Sequence, residues 1–141
     1  MVNDNLKLTG ALTIALNDKV VQEIDNLVVT AGKNYVASRM KDTTKAAMSH
    51  MAVGTGTTTA AASQTALVTE NDRNALTSQT VTGNAIAYVA TWAAGDATAA
   101  LTEAGIFNAS SSGDMLCRTV FSVVNKAAAD SMTITWTVTV S

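Results

Sequence analysis

Charge is scarce in this chain. Asp, Glu, Lys and Arg make up 14% of its 141 residues, against roughly a quarter in ordinary soluble domains. The net charge is −2, and no run of Lys or Arg occurs. Nucleic acid and anionic membrane surfaces are held by clustered cations, so neither is expected as a partner. Cysteine is nearly absent too. Cys117 is the single one, which excludes an internal disulfide framework, and it is expected to pack as a small buried apolar group. His50 is the single histidine. A metal centre needs several nitrogen or sulfur ligands, and a nucleophile needs an adjacent base, so no metal, cofactor or catalytic residue is expected. Aromatics are 4%, too few for a sugar-binding platform. Trp92 and Trp136 fall on apolar registers, which marks them as core anchors. No apolar run approaches the roughly 18 residues that a membrane helix requires. The opening "MVNDNLKLTG" lacks the basic and apolar regions of a signal peptide, so the chain is expected to be made and kept in the cytoplasm until it is assembled.

What the chain has in quantity is alanine, threonine and alternation. Its length suits one domain, residues 1–141, large enough to bury a core unaided, with 1–30 as an extended arm or hairpin. Hydrophobic residues reach 48%. A monomer normally stays soluble through a charged surface. A surface of Ala and Thr points instead to one covered by partners.

Leu6, Leu8, Leu12, Ile14 and Leu16 occupy alternate positions, as a half-buried strand requires. Gly10 falls in the apolar register and marks a bulge or a close approach. "NDK", Asn17 to Lys19, reads as a hairpin turn, and a second strand follows from Val20 to Thr30. Its polar middle, "QEID", predicts an exposed or edge position. Ala31 to Asp42 is the one convincing helix, with Val36 and Met40 on one stripe and Tyr35 and Arg39 on the next. A strand is expected from Lys45, with Met51 and Val53 facing one way and His50 and Ala52 the other. Two strands flank "TGN", Thr82 to Asn84, with Ile86, Tyr88, Ala90 and Trp92 sharing a face. Ala99 to Asn108 and Met115 to Val124 form a hairpin whose tip is "NASSSGD". In "SMTITWTVTV", Met132, Ile134, Trp136, Val138 and Val140 alternate with threonines, the clearest strand of all. Turn signals recur about every ten residues, the spacing of an antiparallel β-sandwich or jelly roll with one short helix.

The remaining motifs are weak as chemistry. "GTGTT", Gly54 to Thr58, lacks the Lys and Ser/Thr that a phosphate loop needs. The stretch Gly54 to Leu67 is a long loop of small residues, with nothing to anchor a core, and such a loop is functional or held by a neighbouring chain. Glu70, Asp72, Glu103, Asp114 and Asp130 each fall in or beside a predicted turn, where an acid caps or is solvated. They are not expected to form the spaced pair that glycoside hydrolysis requires. "NAS" at Asn108 is a glycosylation sequon by pattern only.

Three groups of motifs carry a resemblance. "TEAGIFNA" (Thr102 to Ala109), "MLCRTVFSVVNK" (Met115 to Lys126) and "MTITWTVTV" resemble a group of tailed-bacteriophage structural proteins. So do "DNLVVTAGKNYVASRM" and "HMAVGTGTTTAAASQTAL" upstream, so the likeness spans most of the chain in order. The group includes small capsid decoration, or cement, proteins and proteins described as tail or fibre components. The resemblance implies a virion protein of β-sandwich type, usually a homotrimer, without enzymatic activity. Its partners would be itself and the major capsid protein, whose outer shell it binds and stabilises. The alternative is a tail or fibre component involved in host attachment, with tail or fibre proteins as partners. The chain's shortness favours cement, since no shaft or repeat is present. The expected contact is the loop Gly54 to Leu67 or the N-terminal segment.

Overall fold

The alternation of apolar residues with threonine and alanine resolves into strands. The structure, a computed structural model, describes residues 6–41 and 45–141. Nine antiparallel strands and one helix are found among them: β1 (Leu8–Leu16), β2 (Lys19–Val28), α1 (Thr30–Met40), β3 (His50–Gly54), β4 (Glu70–Ala75), β5 (Ser78–Thr82), β6 (Ala85–Trp92), β7 (Ala99–Phe107), β8 (Met115–Lys126) and β9 (Met132–Val140). Their spatial order is β4-β3-β7-β8-β2-β1-β9-β6-β5. This curled sheet doubles over into a β-sandwich, because two segments change layer. Strand β2 pairs with β1 as far as Asn26, then passes to β8 through Leu27 and Val28. At the opposite corner β4, which pairs with β3, leads after Leu76 and Thr77 into β5, which pairs with β6. The first layer is thus β2-β1-β9-β6-β5 and the second β8-β7-β3-β4.

The core lies between the layers. Leu12, Ile14, Trp92, Ile134 and Trp136 meet Met51, Val53, Leu101, Ile106 and Cys117, all with at most 1% of their surface exposed. Both tryptophans and the cysteine are buried as the patterning predicted. Within residues 1–30, β1 and β2 form a hairpin built into the sheet, since β1 pairs along its length with β9 from Leu8↔Val140 to Leu16↔Met132. Residues 1–5 of the expected arm lie outside the described residues. The β1–β2 turn places Asn17 and Asp18 at φ 51° and 64°, the paired left-handed conformation of a two-residue hairpin. Gly10 is a close approach rather than a bulge. A Cβ there would strike the Asn26 side chain, and the register shift of this hairpin lies at Ile14/Ala15 instead.

Each predicted stripe of the helix reaches the core at one residue, with Tyr35 buried and Val36 packed against it. Gly32 and Tyr35 face inward while Met40 is 82% exposed. Asp42, where the predicted helix ends, lies outside the described residues. The reason is how closely α1 lies on β8: a Cβ at Gly32 would strike the carbonyl oxygen of Leu116. Only the first turns can touch the sheet, and Tyr35 is secured by donating its hydroxyl to the Ala46 carbonyl (2.9 Å). Gly32→Ala is therefore expected to destabilise the fold. Alanine gains about 1 kcal/mol of helix propensity over glycine, but overpacking against rigid backbone costs about 1–3 kcal/mol. A urea midpoint lower than wild type checks this; a higher one would mean that the helix is free to shift.

Candidate functional site

The outer face of the second layer is roofed by residues 55–69. Beneath them lies a buried ion pair. Glu103 on β7 and Arg118 on β8 are both fully buried, with Oε2 of the carboxylate 2.7 Å from Nη2 and 3.1 Å from Nε. Gly105 pairs with Arg118, so Glu103 and Arg118 stand diagonally on one face of the β7–β8 hairpin. The carboxylate also accepts backbone N–H groups from the loop: Gly56 (3.1 Å) and Thr69 (2.7 Å) on Oε1, and Val68 (3.0 Å) on Oε2. Arg118 extends Nη1 to the Thr58 carbonyl (2.9 Å) and to Gln64 Oε1 (3.0 Å). Thr102 Oγ1 donates to the Gly56 carbonyl (2.8 Å), and Thr30 N–H to that of Ala62 (2.8 Å).

These contacts overturn three expectations. Glu103 lies inside a strand, not in a turn. The loop takes its order from its own chain, since side chains of β7 and β8 satisfy its backbone. It also has an anchor: Leu67 joins Val29, Ala52, Phe107 and Met115 in a second small core beneath it. The "GTGTT" pattern gains a physical reason as well. A Cβ on Gly56 would lie 2.6 Å from Glu103 Oε1 and 2.7 Å from Val68 Cβ, so glycine lets the loop cross directly over the carboxylate. The loop does cradle an anion, but that anion is the protein's own glutamate.

Burial alone pushes the Glu103 carboxyl up. The Thr69 N–H, the Arg118 guanidinium and the N–H groups of Val68 and Gly56 outweigh it and hold the group below the usual glutamate range. Sequence reasoning missed this pair. The available signal was two opposite charges, Glu103 between Thr102 and Ala104 and Arg118 between Cys117 and Thr119, within the two strands of one predicted hairpin.

The other titratable residues are dispersed. His50 is paired with Phe107 and Ala75 in the sheet, its Nδ1 2.8 Å from Ser49 Oγ. Cys117 belongs to the core on the opposite face, where burial pushes its thiol well above its ordinary value. Glu70 pairs with Arg73 (2.6 Å) and Asp114 with Lys45 (3.0 Å). Asp130 accepts from the Asn17 amide and the Ala127 N–H (both 2.9 Å), which holds its carboxyl below the usual range. Among the described residues, no three His, Cys, Asp or Glu side chains stand close enough to hold a metal ion. Arg73 fixes the hairpin tip: it stacks 3.8 Å from the Phe107 ring centroid and donates to the Ala109 and Ser112 carbonyls (3.0 and 2.9 Å). The sequon residue Asn108 is engaged there too, its Oδ1 accepting from the Asp114 N–H (2.7 Å).

Two surfaces remain open. The outer face of the first layer is mostly Thr and Ala, with Thr9 opposite Thr139, Ala11 opposite Thr137 and Thr13 opposite Thr135, and it is bordered on β2 by the exposed carboxylates Asp25 and Glu23, which pair with Ala11 and Thr13. At one end of the sandwich an apolar groove of about 300 Å³ runs between α1 and the β5–β6 hairpin, lined by Val36, Val81, Ile86, Tyr88, Leu116 and Val138. Among the described residues neither surface gathers three His, Cys, Asp or Glu side chains; both are suited to contact. No family model, curated protein or solved structure matches this chain.

Proposed function

We propose that this chain is a structural virion protein without enzymatic activity, a capsid decoration protein that binds the outer shell of a tailed bacteriophage and stabilises it. The observation that carries the reading is a convergence. The stretches that bear the resemblance include "TEAGIFNA", "MLCRTVFSVVNK" and "GTGTTTAAASQTAL". In the fold they supply Glu103, Arg118 and the loop that these two residues clamp. Motifs that look like scattered strand and turn signals thus build one rigid, neutral, small-residue surface. A contact surface ordered in advance loses little conformational entropy on binding. Thr57, Thr58 and Thr59 on the loop are exposed and offer hydroxyls at little desolvation cost.

In this reading the protein acts as several copies, a homotrimer by resemblance. Each copy contributes a modest contact, and linkage multiplies them through effective concentration. A ligand that prefers the assembled shell shifts the assembly equilibrium toward it. The test is add-back. Virions stripped of the protein are expected to release DNA at a lower temperature, and purified protein to restore the original value and co-sediment with shells. Recovery with tails, and no change in DNA release, would replace this reading with a tail component.

A further inference from the structure

The sandwich has four edge segments, and three carry protection against pairing with another chain. On β2, Lys19, Glu23 and Asp25 are exposed, and side chains bridge its free edge to β8: Gln22 donates to the Ser122 carbonyl, and Thr119 donates to that of Asp25 (3.0 Å). The facing edge of β8 is closed by the same bridges. On β4, Glu70 and Arg73 form an ion pair, and Asn74 Nδ2 donates across the corner to the Thr91 carbonyl (2.9 Å). Charges and bridges of this kind are how native sheets blunt their edges. Strand β5, "SQTVT", has none. It is uncharged, all five of its residues are exposed, its ladder with β6 is regular from Ser78↔Val89 to Thr82↔Ala85, and among the described residues β6 is its only strand neighbour.

The hydrogen-bond phase of this edge follows from its neighbours. Asn84 accepts from the Val140 N–H through its carbonyl (2.9 Å), so even-numbered residues of β6 bond toward β9 and odd-numbered ones toward β5. Thr82, Thr80 and Ser78 then bond inward to Ala85, Ala87 and Val89, and the backbone groups of Gln79 and Val81 point outward. An edge with two outward residues flanking a central one is self-complementary about a twofold axis. Two copies set antiparallel place Gln79 of one opposite Val81 of the other, twice, each pair exchanging both backbone hydrogen bonds. Thr80 meets its own counterpart on the axis, a favourable cross-strand pair.

We infer that a second copy of this chain docks on the β5 edge, joining two first layers into one continuous sheet across a twofold axis centred on Thr80. This goes beyond the decoration reading and does not depend on it. The side chains of Gln79 and Val81 lie on the same face as Tyr88 and Ile86, their pairing partners. Docking therefore sets the two apolar grooves end to end and covers Val81, now 71% exposed. A seam without charge should also be insensitive to salt.

The experiment is sedimentation of the full chain across a dilution series into the high-micromolar range, at low and high salt. The wild type is expected to reach twice the mass of two variants. Gln79→Pro removes an outward N–H while leaving the inward bonds to β6, which a strand edge tolerates. Thr80→Lys opposes like charges on the axis from an exposed position. An equimolar mixture of Thr80→Lys and Thr80→Glu should regain the doubled mass, which a fold defect cannot mimic. A wild type with the same mass as both variants, or a mixture that stays at the variants' mass, overturns the proposal. Shell binding is scored separately, so either reading can fail alone.

Discussion

Replacing Glu103 with alanine is expected to release the 55–69 loop and to cost roughly 3–5 kcal/mol, the range for removing one partner of a buried ion pair. That is a large part of a typical folding free energy of about 5–15 kcal/mol. The variant leaves Arg118 charged, fully buried and without its carboxylate, and leaves Gly56, Val68 and Thr69 N–H groups without an acceptor. An orphaned buried donor costs about 1–3 kcal/mol, and these costs are avoided only if the loop lifts into water. Two readouts should move together: the denaturation midpoint falls, and amide exchange at Gly56, Val68 and Thr69 accelerates. Replacing Glu103 and Arg118 together with methionine should cost less than the single change, because no charge is then stranded. A more exposed pair gives the contrast: Lys45 and Asp114 keep 44% and 33% of their side chains in solvent, so Lys45→Gln should shift stability by no more than about 1 kcal/mol. If Glu103→Ala kept wild-type exchange at those amides, the carboxylate would not be what holds the loop.

The same group sets an acid limit. Its folded pKa lies below the unfolded value, so its contribution is fully present above the ordinary glutamate pKa of about 4.3. It is lost progressively as pH falls from there through the folded value, because the unfolded chain takes up the proton first. Wild type should lose loop protection on acidification through this window, and the double methionine variant should lose less.

The strands were legible wherever one face is buried and the other is wet. In β9 the alternation of Met132, Ile134, Trp136 and Val138 with threonine maps onto burial residue by residue, because a period of two admits only one register with the apolar side inward. The edge character of β2 was also readable from "QEID", since polar residues mid-strand need an unpaired or solvated side. The clamp was not. Glu103 falls inside the strand expected from Ala99 to Asn108, but its role depends on a partner fifteen residues away across a hairpin register that two bulges shift, near Leu101/Glu103 and Ile106/Phe107. The loop misled for a related reason. Apart from Leu67 its side chains are too small to bury much area, so its order had to be sought outside it. The outside turned out to be the adjoining sheet, which bonds the loop's backbone at Gly56, Thr58, Val68 and Thr69, holds the Gln64 side chain through Arg118 and buries Leu67.

Trp136→Ala is the second substitution expected to have a large effect. Trp136 is fully buried, stands opposite Leu12 and Tyr88 in the ladders, and donates its indole N–H to Asn26 Oδ1 (3.0 Å). Truncation opens a cavity among the core residues of β1, β9 and β6, including Leu12, Tyr88 and Ile134, and costs about 3–5 kcal/mol. A polar cost adds to it. Asn26 Nδ2 is already buried without a partner, so losing the indole orphans the other end of the amide as well, at about 1–3 kcal/mol. The amide cannot swing away easily, because it is packed against Gly10. Trp136→Phe separates the two terms: it keeps most of the ring and loses only the hydrogen bond, so it should fall between wild type and alanine. Asn26→Leu in the phenylalanine background should then recover part of the loss, because both orphaned amide atoms disappear. Near-ultraviolet circular dichroism and thermal melts measure both. If Trp136→Ala melted with the wild type, the strand would have to be paired one residue out of register, with threonines inward and the indole in water.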